Sequence, residues 1–216
     1  DNEHIRWIFA TALEKNEYEK LSLAKSWKPG EILRLITVGS LRPGKNISAL
    51  IEALPLIRKK YSNISLDILG AGELLESLKD LTHQLNCSDL VTFHGNVDHQ
   101  CVLQILSRAH VFVFPTFFEG FPKALLEAMA VGLPVVANPV SVIPYLIENN
   151  QCGILLNKPD AENIAESVLK MIADPKSMQT MGENARTAAA SYTLDKWRDQ
   201  IGGILESAWQ VQLRDQ

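Results

Sequence analysis

Short apolar runs alternate along this chain with longer stretches in which apolar residues recur every three or four positions. The runs lie at 32–38, 64–69, 90–93, 111–114, 134–137 and 153–155. Each is too short for a stable helix, and six short buried strands are expected. The stretches at 46–60, 72–85, 98–107, 122–131 and 140–148 read as amphipathic helices between them. Strand alternating with helix predicts an α/β fold: a Rossmann-like, doubly wound, six-stranded parallel sheet with helices on both faces. After residue 155 the strands stop. Helices at 160–173, 175–190 and 193–213 form a C-terminal extension, the first following Pro159-Asp160 and the second opened by Pro175.

Residues 1–30 have no strand pattern. A short helix over 18–27, closed by Lys28-Pro29-Gly30, is expected there, and the segment reads as a linker or crossover from something upstream of a folded unit at 31–216. Trp7, Trp27, Trp197 and Trp209 all lie in these terminal segments. They suggest that the termini pack against each other or against a partner domain. The helix at 193–213 either closes one side of the sheet or keeps an apolar face for another lobe.

Composition narrows the class. A chain of 216 residues with 46% hydrophobic content can bury a full core. A formal net charge of −4 argues against a nucleic-acid partner, and no apolar run is long enough to span a bilayer. Cys87, Cys101 and Cys152 are widely spaced without a C-x-x-C, so all three read as small core residues in a reducing, cytoplasmic setting.

The chemistry concentrates at 115–137, PTFFEGFPKALLEAMAVGLPVVA. Glu119 lies in the loop after the fourth strand, and Glu127 follows eight residues later, inside a helix. Pro122 suits the first helical position, which would leave the N–H groups of Lys123, Ala124 and Leu125 facing the loop as an anion site. An anion flanked by carboxylates suggests a phosphorylated sugar. In a sheet of order 3-2-1-4-5-6 the first and fourth strands border the switch-point crevice, so the loop from Gly39 to Asn46 should bring Lys45 close to Glu119. Taken alone, Lys45 reads as a solvated surface lysine rather than a ligand contact, because G-x-G-x-x-G and the P-loop pattern are both absent.

The E-G-F-P-K-A-L-L-E-A-M-A-V-G-L-P-V-V-A stretch resembles the E-x7-E signature of retaining glycosyltransferases of the family 4 type, which have the two-domain GT-B architecture. The resemblance implies that Glu119 lies beside the donor sugar and that Glu127 binds the nucleotide ribose. Val38-Gly39-Ser40-Leu41-x-Pro-x-Lys45 resembles the family element whose Arg and Lys neutralise the donor diphosphate; Lys45 matches, whereas Ser40 stands where Arg is usual. Arg42 and Lys123 are the candidate substitutes. Gly70-Ala71-Gly72 resembles the family's G-x-G turn, or is simply a tight turn. The segment 91–97 resembles the part whose backbone meets the nucleobase, which brings in Gly95 and Val97; Gly39, Gly120, Phe121, Ala124 and Leu125 complete the implied binding set.

His94 is expected to be a packed histidine. Tyr145 replaces a Glu of the family loop, so no role is carried over there. The implied activity is transfer of a hexosyl group, with retention, from a UDP- or GDP-linked sugar to a saccharide or glycolipid acceptor, in polysaccharide, lipopolysaccharide or glycolipid synthesis. Glu119 and Lys45 would serve catalysis, with no metal and no other cofactor. The resemblance further implies an N-terminal acceptor domain before residue 1 and a cytoplasmic location, peripheral at the membrane through that domain. A nucleotide-sugar epimerase of the same architecture and a non-catalytic nucleotide-sugar-binding module are the alternatives.

Overall fold

The computed structural model describes residues 13–209. Its six strands are β1 (Leu33–Val38), β2 (Ile64–Leu69), β3 (Val91–Gly95), β4 (Val111–Phe114), β5 (Val135–Ala137) and β6 (Gly153–Leu155). They form one sheet of order β3-β2-β1-β4-β5-β6, parallel at every pairing. The helices between them are α2 (Ile47–Arg58), α3 (Leu75–Gln84), α4 (His99–Leu106), α5 (Lys123–Ala130) and α6 (Ile143–Glu148). A short helix, α1 (Lys15–Lys20), precedes the sheet, and α7 (Ala161–Ala173), α8 (Pro175–Ala189) and α9 (Leu194–Trp209) follow it.

The period-two geometry of strands sorts the apolar side chains into two cores. Leu33 and Leu35 of β1 and Val111 and Val113 of β4 face the first, with α2, α3 and α7. Ile36 of β1 and Phe112 and Phe114 of β4 face the second, with α4, α5, α6 and α8. The helices that follow β1 and β2 thus lie on one face, and those that follow β3, β4 and β5 lie on the other. Where β1 meets β4, the chain leaves the sheet toward opposite faces, and a crevice opens at their carboxyl ends.

Two glycines keep this edge compact. Gly70, at φ +130°, would place a Cβ 2.0 Å from the carbonyl oxygen of Gly39, and a Cβ on Gly72 would lie 2.4 Å from that of Leu41. The turn after β2 therefore rests directly on the backbone of the loop after β1.

The N-terminal strap departs from expectation. The helix expected over 18–27 is instead α1 (Lys15–Lys20), and residues 21–26 are non-helical. Tertiary contacts outweigh local propensity here: the Tyr18 hydroxyl donates to the Arg186 carbonyl at 2.5 Å, and the Ala24 N–H donates to Val131 O at 2.8 Å. The strap also meets the C-terminal helix, since Leu194 N–H donates to Leu13 O at 3.0 Å and Lys15 N–H to Asp195 Oδ2 at 2.6 Å. Trp27 is buried, its ring edge-on to Tyr61 at 5.4 Å. Trp197 and Trp209 are exposed, α9 buries no residue completely, and Trp7 and residues 210–213 lie outside the described residues.

Cys87 and Cys152 are buried as expected, and burial pushes the Cys152 thiol up to about 12. Cys101 is not a core residue. It is half-buried on α4, its thiol donating to Asp98 Oδ2 at 3.2 Å. No helix among the described residues is long and apolar enough to cross a membrane.

Candidate functional site

The site is built from three loops at the carboxyl edge of the sheet. The loop after β1 forms a single 3-10 turn over Pro43–Lys45 and ends at Asn46 in the left-handed region, φ 55°. Asparagine tolerates that conformation, and its side chain is put to use. Asn46 Nδ2 donates to the carbonyls of Pro115, at 3.2 Å, and Pro159, at 2.6 Å. The Phe117 N–H donates to Gly44 O at 2.9 Å. Asn138, after β5, donates from Nδ2 to Thr116 O at 3.0 Å. Loops from β1, β4 and β5 are thereby tied together by buried hydrogen bonds, which costly desolvation makes hard to exchange for water.

On this frame Lys45 Nζ lies 2.7 Å from Glu119 Oε2. The two residues are 74 positions apart in sequence, and the switch point joins them. Their side chains are 21% and 12% exposed, so the pair is sheltered but open on one side. The ammonium also sits 5.4 Å from the centre of the Phe114 ring, and a Cβ added at Gly39 would meet the lysine stem at 3.8 Å. A cation held between a carboxylate and an aromatic face is fixed in position and still able to take another anion.

The start of α5 differs from expectation in one detail. Pro122 is the N-cap, at φ −83° and ψ 67°, not the first helical residue. The chain makes a tight turn in which the Lys123 N–H donates to Phe121 O at 3.0 Å, so Lys123 drops out of the anion site and the Ala124 and Leu125 N–H groups are left to form it. The Lys123 side chain is exposed, as is that of Arg42. Gly120 is exposed and accepts from Ser141 Oγ at 3.3 Å, whereas Phe121 is half-buried against the second core.

Glu127 lies deeper, on the first helical turns of α5, at 8% exposure. Burial pushes its carboxyl above the usual range; the opposing influences are His99 first and Lys123 second. His99 was missed in the sequence. Its Nε2 lies 3.1 Å from Glu127 Oε1, and nothing in the run Asp98-His99-Gln100 marks it as a site residue before α4 and α5 are packed together. His94 behaves as expected: its Nε2 is 2.6 Å from Asp67 Oδ1 on the neighbouring strand. Gly95, at the end of β3, has φ 65° and its carbonyl takes the Gly70 N–H at 2.8 Å, and Val97 is half-buried against the second core. Among the described residues, no three His, Cys, Asp or Glu side chains gather as a metal site.

Residues 20–188 match the family model described as glycosyl transferases group 1. The chain belongs to that family. Group 1 relatives include a GDP-mannose-dependent alpha-(1-6)-phosphatidylinositol monomannoside mannosyltransferase of Mycobacterium tuberculosis, 28% identical over 83% of this chain and 47% of its own length. The amylovoran biosynthesis glycosyltransferase AmsK of Erwinia amylovora is 33% identical over 72% of this chain and 40% of its own. A solved structure, the sucrose-phosphate synthase of Thermosynechococcus elongatus, superposes with a TM-score of 0.74 at 25% identity, covering 85% of this chain and 47% of that one. The chain thus spans about half the length of the curated relatives it matches. The β4–α5 unit that carries Glu119 and Glu127 lies within the matched range.

Proposed function

We propose that this chain is the donor-binding half of a retaining glycosyltransferase, holding a nucleoside-diphosphate sugar for hexosyl transfer to an acceptor hydroxyl. The observation that carries the reading is the Lys45–Glu119 pair at 2.7 Å, set at the switch point in front of the α5 N-terminus. An incoming diphosphate would take Lys45 as its counter-cation and release Glu119 toward the sugar hydroxyls. The Ala124 and Leu125 N–H groups would bind the remaining phosphate oxygens, and Glu127 would accept the ribose hydroxyls.

In the reaction, the bond from the anomeric carbon to the diphosphate oxygen breaks. A bond from that carbon to the acceptor oxygen forms on the same face, and the acceptor proton leaves with the diphosphate or to water. Negative charge grows on the leaving diphosphate, so a fixed Lys45 stabilises the transition state more than the ground state. The reading gives charge neutralisation to Lys45 and the helix N-terminus and calls on no metal. The mannosyltransferase and amylovoran relatives support a glycolipid or polysaccharide acceptor, supplied with a second lobe, and the composition and cysteines support work on the cytoplasmic side. The test joins this chain to its acceptor lobe and follows release of nucleoside diphosphate from UDP- and GDP-sugars. Release that requires acceptor, and is lost in Glu119→Ala, supports transfer; an isomerised sugar nucleotide without acceptor would overturn it.

A further inference from the structure

His99 has no part in the reading above, yet it is the side chain in closest polar contact with Glu127. It opens α4 behind the N-cap Asp98, whose Oδ1 accepts the Cys101 N–H at 2.8 Å. That cap fixes the first turn of α4 and with it the origin of the His99 side chain. From there the imidazole spans the α4–α5 interface to Glu127 Oε1. The exposures of the two side chains are unequal, 44% for His99 and 10% for Glu127, so the carboxylate is enclosed while the imidazole faces solvent. Other charges near α5 are engaged elsewhere: Glu119 with Lys45, and Arg186 of α8 with the Ala130 carbonyl at the far end of the helix. Among the described residues, His99, from α4, and Lys123, one turn earlier on α5, are the charged groups that act on the Glu127 carboxyl.

We propose that His99 is a positioning residue for nucleotide binding: by donating from Nε2 to Glu127 Oε1 it locks the carboxylate, leaving Oε2 for the vicinal hydroxyls of the ribose. The proposal rests on the reading of Glu127 as the ribose acceptor. A carboxylate with one oxygen tethered has lost most of its rotational freedom before the ligand arrives, so less ordering remains to be done on binding. Both the neutral Nε2–H tautomer and the imidazolium can donate this bond, but only the imidazolium adds a charge that favours ionised Glu127. A glutamine at position 99 reaches the same oxygen with a neutral N–H. It therefore separates orientation from charge.

The test uses the 216-residue chain, its His99→Gln and His99→Ala variants, and Glu127→Gln. Calorimetry compares UDP and GDP with their 2′-deoxy counterparts from mildly acid to mildly alkaline pH, and carboxyl NMR follows the Glu127 titration in the free protein. Wild type should prefer the ribonucleotides, and His99→Ala should lose about tenfold of that preference, the scale of one charge-assisted hydrogen bond. His99→Gln should keep the preference at alkaline pH but lose it earlier on acidification, and the Glu127 midpoint should rise in both His99 variants. If both variants keep the wild-type preference and midpoint while Glu127→Gln abolishes the preference, the ribose reading stands and the role of His99 is overturned. If Glu127→Gln, or the wild type itself, does not distinguish ribose from deoxyribose, the ribose reading falls and the proposal falls with it.

Discussion

The two ends of the sheet hold their sheltered ionisable side chains in opposite ways. At the amino end lies a cavity of about 310 Å³, lined by Trp27, His110, Pro134, Met178 and Arg186 among others. There the sheltered ionisable side chains, His110 and Arg186, are bound to backbone. His110 Nδ1 accepts the Arg34 N–H at 3.1 Å, and burial holds its pKa below the usual imidazole value, aided by Arg34. The Arg186 guanidinium donates to the carbonyls of Ala130 and Tyr18 and stacks on the Tyr18 ring at 3.5 Å. At the carboxyl end side chains bind side chains: Lys45 with Glu119 and His99 with Glu127. A backbone carbonyl cannot leave its partner without undoing the fold, whereas a side-chain pair can open to a ligand that replaces each lost contact. The proposed site is thus at the end with exchangeable pairs and not at the end with the 310 Å³ cavity.

The sharpest way to break this contrast is Arg186→Ala. Removing two charge-assisted bonds to backbone should cost about 2–4 kcal/mol of stability by chemical denaturation, with nucleotide affinity unchanged where the protein stays folded. Lys45→Ala should do the reverse at the other end: nucleoside diphosphate affinity should fall by about 2–3 kcal/mol, with a shallower salt dependence and little effect on the nucleoside alone.

Glu127→Gln should weaken ribonucleotide binding by about 1–2 kcal/mol. The wild type should also lose affinity as pH falls through the raised Glu127 midpoint, because a protonated carboxyl is a poorer acceptor. The fold responds with the opposite sign. A carboxyl whose folded pKa is raised binds its proton more tightly when folded, so the Glu127 contribution to stability improves over the window from its folded midpoint down to the unfolded value. An affinity limb and a stability limb that moved together would contradict burial as the cause. The smallest effect should come from Arg42→Ala and Lys123→Ala, each about 1 kcal/mol or less in diphosphate affinity, since both side chains are exposed. Whichever lowers the salt dependence more is the cation that answers for Ser40.

The sheet was readable in the sequence because each strand is a bounded apolar run whose side chains have a core on both faces. The Lys45–Glu119 contact was readable for a related reason: strand order alone brings the two loops together. What was hidden depends on distances between elements. The end of α1 is decided by Tyr18 meeting Arg186, 168 positions away, which no local pattern contains. The contact of His99 with Glu127 needs the packing of α4 on α5, and the capping turn at Pro122 is set by the Lys123 N–H turning back to Phe121. Gly70 and Gly72 were legible as a turn, but their close contact with Gly39 and Leu41 was not.

The central claim is that the carboxyl edge, with its exchangeable pairs, is where the ligand binds. Backbone NMR of the 216-residue chain, titrated with UDP and GDP, tests it most directly. Saturable shifts concentrated at residues 39–46, 94–99 and 119–127, with those at 23–27, 131–134 and 178–187 unmoved, are the predicted result. Shifts confined to the residues around the amino-end cavity, or none with either nucleotide, would contradict it.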